Sequence, residues 1–221
     1  EMGLRRKSGD PFYSFGTSRG PLYAAQNGRM PTANYASTDA QMPDLSTLKA
    51  GGGKGGQTAE AVRKGATPVP IQTKLSTHEL SGEHWHESLP NAKQSGCCAP
   101  CPIACEAADR PVIDGKKFRG RPVHMNRVDR PEYETLAMLG SNLGIGSSLD
   151  VMDGNDACNR LGMDTISSGA ALSFVCEATE RGWLHESWAD HFHAPFDFGS
   201  FKEGDVVPWK FGIPELPPLA L

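Results

Sequence analysis

Gly96-Cys97-Cys98-Ala99-Pro100-Cys101-Pro102-Ile103-Ala104-Cys105 places four of the chain's six cysteines in one short run. Three of them, Cys98, Cys101 and Cys105, are spaced Cys-x2-Cys-x3-Cys. Thiolates this close repel one another and oxidise readily unless a cation holds them. An iron–sulfur cluster or a zinc ion is the usual solution, and either takes four ligands. Cys97 adjoins Cys98 and is poorly placed to join the same centre, so the run is one ligand short. Its order reverses the Cys-x3-Cys-x2-Cys of radical-initiating iron–sulfur enzymes. Bacterial ferredoxins carry a further upstream Cys and a Pro directly after the last one, where this chain has Ser95 and Glu106. On spacing alone, a zinc site completed by His84, His86 or Cys97 stays open.

The chain has 221 residues, enough for one large domain or two small ones. Its net charge of −4, with both signs mixed, gives no electrostatic case for nucleic acid or an anionic membrane. No apolar run reaches the length of a membrane span, and the start at Glu1 shows no signal-peptide pattern. Clustered cysteines differ from the wide spacing of a secreted disulfide framework. The expectation is a protein of a reducing, cytoplasmic setting, with no nucleic-acid or membrane partner. Its 25 glycines and 17 prolines fit a folded protein with long irregular loops.

Residues 1–75 read as a loop-rich opening segment. Gly16-Thr17-Ser18-Arg19-Gly20-Pro21 and Gly28-Arg29-Met30-Pro31 are turn-like, with at most short helical pieces between them. Gly51-Gly52-Gly53-Lys54-Gly55-Gly56 is a linker, because it lacks the Gly-x4-Gly-Lys-Ser/Thr order of a phosphate loop. Residues 76–185 read as a helical domain. Pro131 opens a helix in which Tyr133, Leu136, Leu139 and Leu143 recur at helical spacing, until Gly144 and Gly146 break it. Ser147-x-x-Asp150 can cap a second helix with Leu149, Met152 and Leu161 on its apolar side, ending at Gly162. Asp164 can cap a third, with Ile166, Ala170, Phe174, Val175 and Ala178 as its buried stripe and Gly182 as its stop. Residues 186–221, rich in Pro and aromatics, read as a mostly irregular tail. The expected fold class is mostly α.

Three motifs in order carry a family resemblance: Cys98-x2-Cys101-Pro102-Ile103-Ala104-Cys105, Pro131-Glu132-Tyr133-Glu134-Thr135, and Cys158-Asn159-Arg160-Leu161-Gly162-Met163-Asp164-Thr165-Ile166-Ser167. Together they resemble the aldehyde:ferredoxin oxidoreductases, tungsten-pterin enzymes that oxidise aldehydes to carboxylates. Gly16-Thr17 and Pro31-Thr32-Ala33-Asn34-Tyr35 are similar to that family's segment upstream of the cysteines. The resemblance implies the helical middle domain of such an enzyme, binding cluster and pterin within 76–185. The β-rich N-terminal base for the pterins and the C-terminal domain that supplies the fourth cluster cysteine are expected elsewhere, on a longer chain or a separate subunit. That accounts for the missing ligand.

By this resemblance, Cys98, Cys101 and Cys105 hold a [4Fe-4S] cluster that passes electrons to ferredoxin or another electron-transfer subunit. Glu134 matches the active-site glutamate near tungsten (or molybdenum), where a carboxylate can take a proton from attacking water or hydrated aldehyde. Asn159, Gly162, Met163 and Asp164 match the loop that contacts the bis-pterin cofactor. Asn159 replaces the family's Asp there. The family's Glu-x-x-His, which binds an iron between subunits, is replaced by Asp153 and Asp156, and no iron bridge is expected. The implied protein is an oxygen-sensitive, anaerobic oxidoreductase.

Two other readings stay open: a family branch acting in complexes that reduce aromatic acyl-thioesters, and a non-enzymatic iron–sulfur or zinc electron-transfer module. His78, His84, His86, His185, His191 and His193 match no family ligand and are expected as surface or hydrogen-bonded histidines. Cys158 and Cys176 are expected as buried small hydrophobes.

Overall fold

The computed structural model describes residues 15–35, 79–88, 93–95, 106–109, 117–118, 121–122, 128–185 and 187–221. Cys97, Cys98, Cys101, Cys105 and the Gly-rich stretch at 51–56 lie outside them. A 3-10 turn at Gly16–Arg19 runs into helix α1 (Gly20–Gln26), with Pro21 in its first turn, where a missing N–H costs nothing. The turn-like reading of 16–21 thus holds a short helix. A second one, α2 (Gly82–Ser88), follows Leu80.

The described strands are short. β1 (Lys93–Ser95), β2 (Glu106–Asp109) and β5 (Val128–Asp129) form an antiparallel sheet in the order β1-β2-β5. β3 (Lys117–Phe118) pairs with β4 (Arg121–Pro122). Most of the regular structure described is helical.

The centre of the core is the segment after Pro131. It begins as α3 (Tyr133–Thr135), widens to a π-helical turn over Leu136–Gly140, and tightens to 3-10 over Ser141–Leu143. Gly144, at φ +73°, ends it where the break was expected. Leu136, Leu139, Leu143 and Ile145 are fully buried here, against Met30, Leu80 and Val151. Each such side chain contributes about 1.5–3 kcal/mol by leaving water.

Helix α4 (Ser148–Leu161) stops at Gly162, at φ +68°, as expected. Two details differ. Ser147 has the extended backbone of a cap but its side chain makes no capping hydrogen bond. Leu161 is exposed, while Val151, Met152, Ala157 and Cys158 form the buried side. Met152 accepts the indole N–H of buried Trp85 at 3.0 Å, which ties α2 to α4.

Helix α5 (Thr165–Glu180) starts at the Asp164 cap and ends before Gly182, at φ +64°, again as expected. Its orientation overturns the expected stripe. Ile166 and Phe174 face outward, and the buried side is Ser168, Gly169, Leu172, Ser173, Cys176, Glu177 and Ala178. Of the expected set only Ala178 is fully buried. The cause is Gly169: a Cβ there would stand 2.5 Å from the Met138 carbonyl oxygen, so the two backbones meet where any side chain would hold them apart. Close approach selects the small, polar face of α5 over its apolar one.

The tail is mostly irregular, as expected, yet it carries short elements and packs on the core. β6 (His191–His193) and β7 (Val206–Pro208) form a hairpin, and α6 (Leu216–Ala220) packs Pro217 against Gly154 of α4. Val207, Phe211, Leu216 and Leu219 join the core, and the Gly212 N–H donates to the Leu143 carbonyl at 2.8 Å. Alternation of exposed and buried residues is too short in a three-residue strand to register as a pattern.

The contact at Gly169 makes a direct prediction. Gly169→Ala should lower the unfolding free energy by about 1–3 kcal/mol through overpacking against backbone that cannot yield. Ala171→Ser, on the exposed side of the same helix, should leave the urea midpoint nearly unchanged.

Candidate functional site

Four separated pieces of sequence meet around α3. Thr17 donates its hydroxyl to the Glu132 carboxylate and accepts the Tyr133 N–H at 3.3 Å. Gly20 lies against the Tyr133 ring, where a Cβ would be 2.4 Å from the ring edge. Thr135 and Thr165 share a hydroxyl hydrogen bond of 2.9 Å, which ties the first turn of α3 to the first turn of α5. Glu134 is therefore one residue from a clamp whose other jaw adjoins Asp164. The structure brings these two candidates to neighbouring helix starts, both exposed.

The fourth piece is Ala33-Asn34-Tyr35. All three residues have left-handed backbones, at φ 47°, 50° and 61°. Such conformations cost roughly 1–2 kcal/mol for a residue with a side chain, less for Asn. Hydrogen bonds offset the cost. Ala33 N–H donates to the Ser141 carbonyl at 3.2 Å, Asn34 N–H to the Asn142 carbonyl at 3.0 Å, and Tyr35 N–H to Asn142 Oδ1 at 3.0 Å. The Asn34 amide donates to Glu177 Oε2 at 2.6 Å and accepts from Ser173 Oγ at 3.1 Å. Asn142 Nδ2 donates to the same Ser173 oxygen at 2.8 Å, and Arg181 Nε to Glu177 Oε1 at 2.8 Å. At about 0.5–1.5 kcal/mol each, these bonds are of the same order as the strain.

The loop between α4 and α5 holds the other candidates. Asn159, Gly162, Met163 and Asp164 are all exposed. No atom lies within 4 Å of where a Gly162 Cβ would be, so a flat ring has room to approach the backbone. Asp164 accepts the Ser167 N–H at 2.7 Å through Oδ2. That bond, with one from the Ser167 side chain, holds its carboxyl below the usual carboxylate range. Tyr133 moves the other way: burial, and then chiefly the Glu134 carboxylate beside it, push its phenol up.

Cys98, Cys101 and Cys105 lie outside the described residues, but the strands on either side do not. Ser95 of β1 pairs with Glu106 of β2 across an antiparallel pair, so the two described residues that flank the run in sequence are strand neighbours. Two features went unread in the sequence: the Thr135–Thr165 clamp and the Asn34–Glu177 contact. Both join residues far apart in the chain, and neither has a local signature.

A family model described as aldehyde ferredoxin oxidoreductase, domains 2 and 3, matches residues 5–203. The chain belongs to that family. The tungsten-containing aldehyde ferredoxin oxidoreductase of Pyrococcus furiosus is 29% identical over 119 residues, which is 54% of this chain and 16% of the relative. That of Pyrococcus horikoshii is 33% identical over 104 residues, 47% of this chain and 15% of the relative. An aliphatic sulfonate oxidoreductase, WOR-like subunit, of Pyrococcus furiosus is 31% identical over 84 residues, 38% of this chain and 12% of the relative. The matched region thus spans about a sixth or less of each relative.

Within this aldehyde ferredoxin oxidoreductase domain, Asp153 is buried, and Asp156 is paired with Arg160 at 2.8 Å on the surface of α4. Among the described residues, no group of three His, Cys, Asp or Glu side chains is arranged to hold a metal ion. His191 and His193 share a strand face with ring centroids 5.7 Å apart, and Asp190 and Ser187 accompany His191 and His185 at 2.6 and 2.8 Å. Cys158 and Cys176 are free and buried, as expected. No helix among the described residues is long and apolar enough to cross a membrane.

The depressed Asp164 carboxyl has a pH signature. The folded pKa lies below the unfolded one, so the cap's stabilisation is complete above the ordinary Asp value near 3.9 and is lost as pH falls through the native value. The stability difference between the wild type and Asp164→Asn, read from urea unfolding, should be steady from about pH 7 to 5 and shift against the wild type on going to about pH 2.

Proposed function

We propose that this domain forms one wall of a tungsten (or molybdenum) bis-pterin site at which an aldehyde is oxidised to a carboxylate. The observation that supports the reading is the Thr135–Thr165 hydrogen bond, which joins the helix start that carries Glu134 to the helix start that follows the Asn159–Asp164 loop, with Glu134 and that loop both exposed. The donor set fits a pterin edge. The Asn159 amide donates and accepts, the second oxygen of Asp164 accepts ring N–H groups, and Gly162 leaves its backbone approachable. Met163, 42% exposed, offers an apolar flank for the ring. When bound, the metal–pterin group supplies the acceptor for the two electrons the aldehyde loses.

Glu134 takes the proton released as water or the aldehyde hydrate is converted to the acid. The neutral Tyr133 phenol beside it can donate a hydrogen bond to a carbonyl oxygen. Glu134 is exposed on this chain, so the exclusion of water around it falls to whatever docks on this face. Cys98, Cys101 and Cys105 ligate a [4Fe-4S] cluster, and electrons leave through it to ferredoxin or an electron-transfer subunit. The remaining domains of the enzyme supply the other pterin contacts and the fourth thiolate. The match to a chain named as a subunit supports a catalytic component that works with others.

Anaerobically purified full-length enzyme should contain tungsten or molybdenum, iron and acid-labile sulfide, and should oxidise aldehydes with a low-potential acceptor. Glu134→Gln should lower kcat by about 10²-fold or more with metal content unchanged. Zinc without acid-labile sulfide would overturn the reading. Cys101→Ser should remove the iron and sulfide while leaving the helical far-UV signal of the domain in place.

A further inference from the structure

We propose that Tyr35 is a substrate-binding residue of this site, its phenol donating to the oxygen of an aldehyde or carboxylate, and that Asn34 is the positioning residue that aims it. The inference rests on the function proposed above and extends it to a segment of unassigned role. Three consecutive left-handed residues would not persist unless the surroundings over-determined them. Every backbone N–H of Ala33, Asn34 and Tyr35 is taken by Ser141 or Asn142, and the Asn34 side chain is held by Ser173 and buried Glu177. Such strain, fully braced on the inner side, delivers a large aromatic that is itself 54% exposed.

Its position is the informative part. The Tyr35 hydroxyl donates to Met138 Sδ at 3.3 Å, on the π-helical turn that continues the helix bearing Glu134. Met138 follows Glu134 by four residues, about one helical turn, so Tyr35 is anchored to the same segment that carries Glu134. A thioether is a weak acceptor for a strong O–H donor. Exchange of sulfur for a carbonyl or carboxylate oxygen improves the hydrogen bond at no cost in preorganisation, because the turn already fixes the ring. The ligand class is therefore a small molecule with an exposed sp2 oxygen, as both the substrate and the product of aldehyde oxidation are.

The test uses the full-length enzyme with acetaldehyde as substrate and acetate as product ligand. Tyr35→Phe keeps the ring and removes only the hydroxyl. It should raise KM for acetaldehyde about tenfold, with kcat within about twofold, and raise the Kd of acetate for the metal-free protein, read by calorimetry, by a similar factor. Asn34→Ala should produce the same KM shift, and the double variant Asn34→Ala/Tyr35→Phe should add little to either single one. Unchanged KM and acetate Kd in a folded Tyr35→Phe protein overturn the assignment, as does a wild type that does not bind acetate. Fully additive effects overturn the positioning role of Asn34. A wild type that oxidises no aldehyde overturns the proposed function instead, and the acetate measurement then still decides on Tyr35.

Discussion

The backbone contact between Gly169 and Met138 is the constraint on which the rest of this domain depends. It is a steric condition rather than a strong attraction: one hydrogen in place of a methyl lets two helical segments approach until main chain meets main chain. Once they do, the neighbouring positions of α5 are decided. Thr165 falls opposite Thr135, Ser173 opposite Asn142, and Glu177 opposite Asn34. The hydrogen bonds between these pairs do not bring the helices together. They make the close approach tolerable, since the polar groups that it buries find partners there.

This arrangement divides labour between two sides of one segment. The inner side of 133–143 is aliphatic and packs on α4 and the tail; the side toward α5 and the 33–35 turn is hydrogen-bonded and rigid. The groups proposed to carry function sit at the margins of the rigid side, on helix starts and turns. Glu134 follows the Thr17-bound entry of α3, and Asp164 is itself the cap of α5. Asp164 caps α5 through Oδ2, which leaves the pterin contact proposed for it to the other oxygen. The widened turn at Leu136–Gly140 belongs to the same economy of space: it lets the chain carry Met138 past Gly169 without breaking the helix.

Much of this was readable in the residues, and the failures have a common cause. Helix ends were legible because they depend on local chemistry, as at Asp164, Gly144, Gly162 and Gly182. The motifs pointed to the family because their order and spacing are specific. The inward face of α5 was misread because periodicity assigns apolar residues to the core, and Ile166 and Phe174 are apolar. In a domain that presents surface to larger neighbours, an apolar stripe need not face its own core, and a single glycine outweighed it here. The tail is mostly irregular, as expected, but the hairpin and the last helix within it went unread for a different reason. Its strands are three residues long and its last helix contains two prolines in the first turn, so neither offers enough repeats for a period to show.

The two helical cysteines have a chemical consequence for the cysteine run itself. Cys176 is sealed in the core, and burial pushes its thiol up to about 12; Cys158, also closed to solvent, is raised as well, chiefly by burial. Neither offers a thiolate at neutral pH, so alkylating reagents and oxidants have no foothold on α4 or α5. Thiolate chemistry in this chain is left to the four cysteines at 97–105. Oxidation of thiols then begins among those four, in the segment proposed to bind the cluster, and not on the two helices.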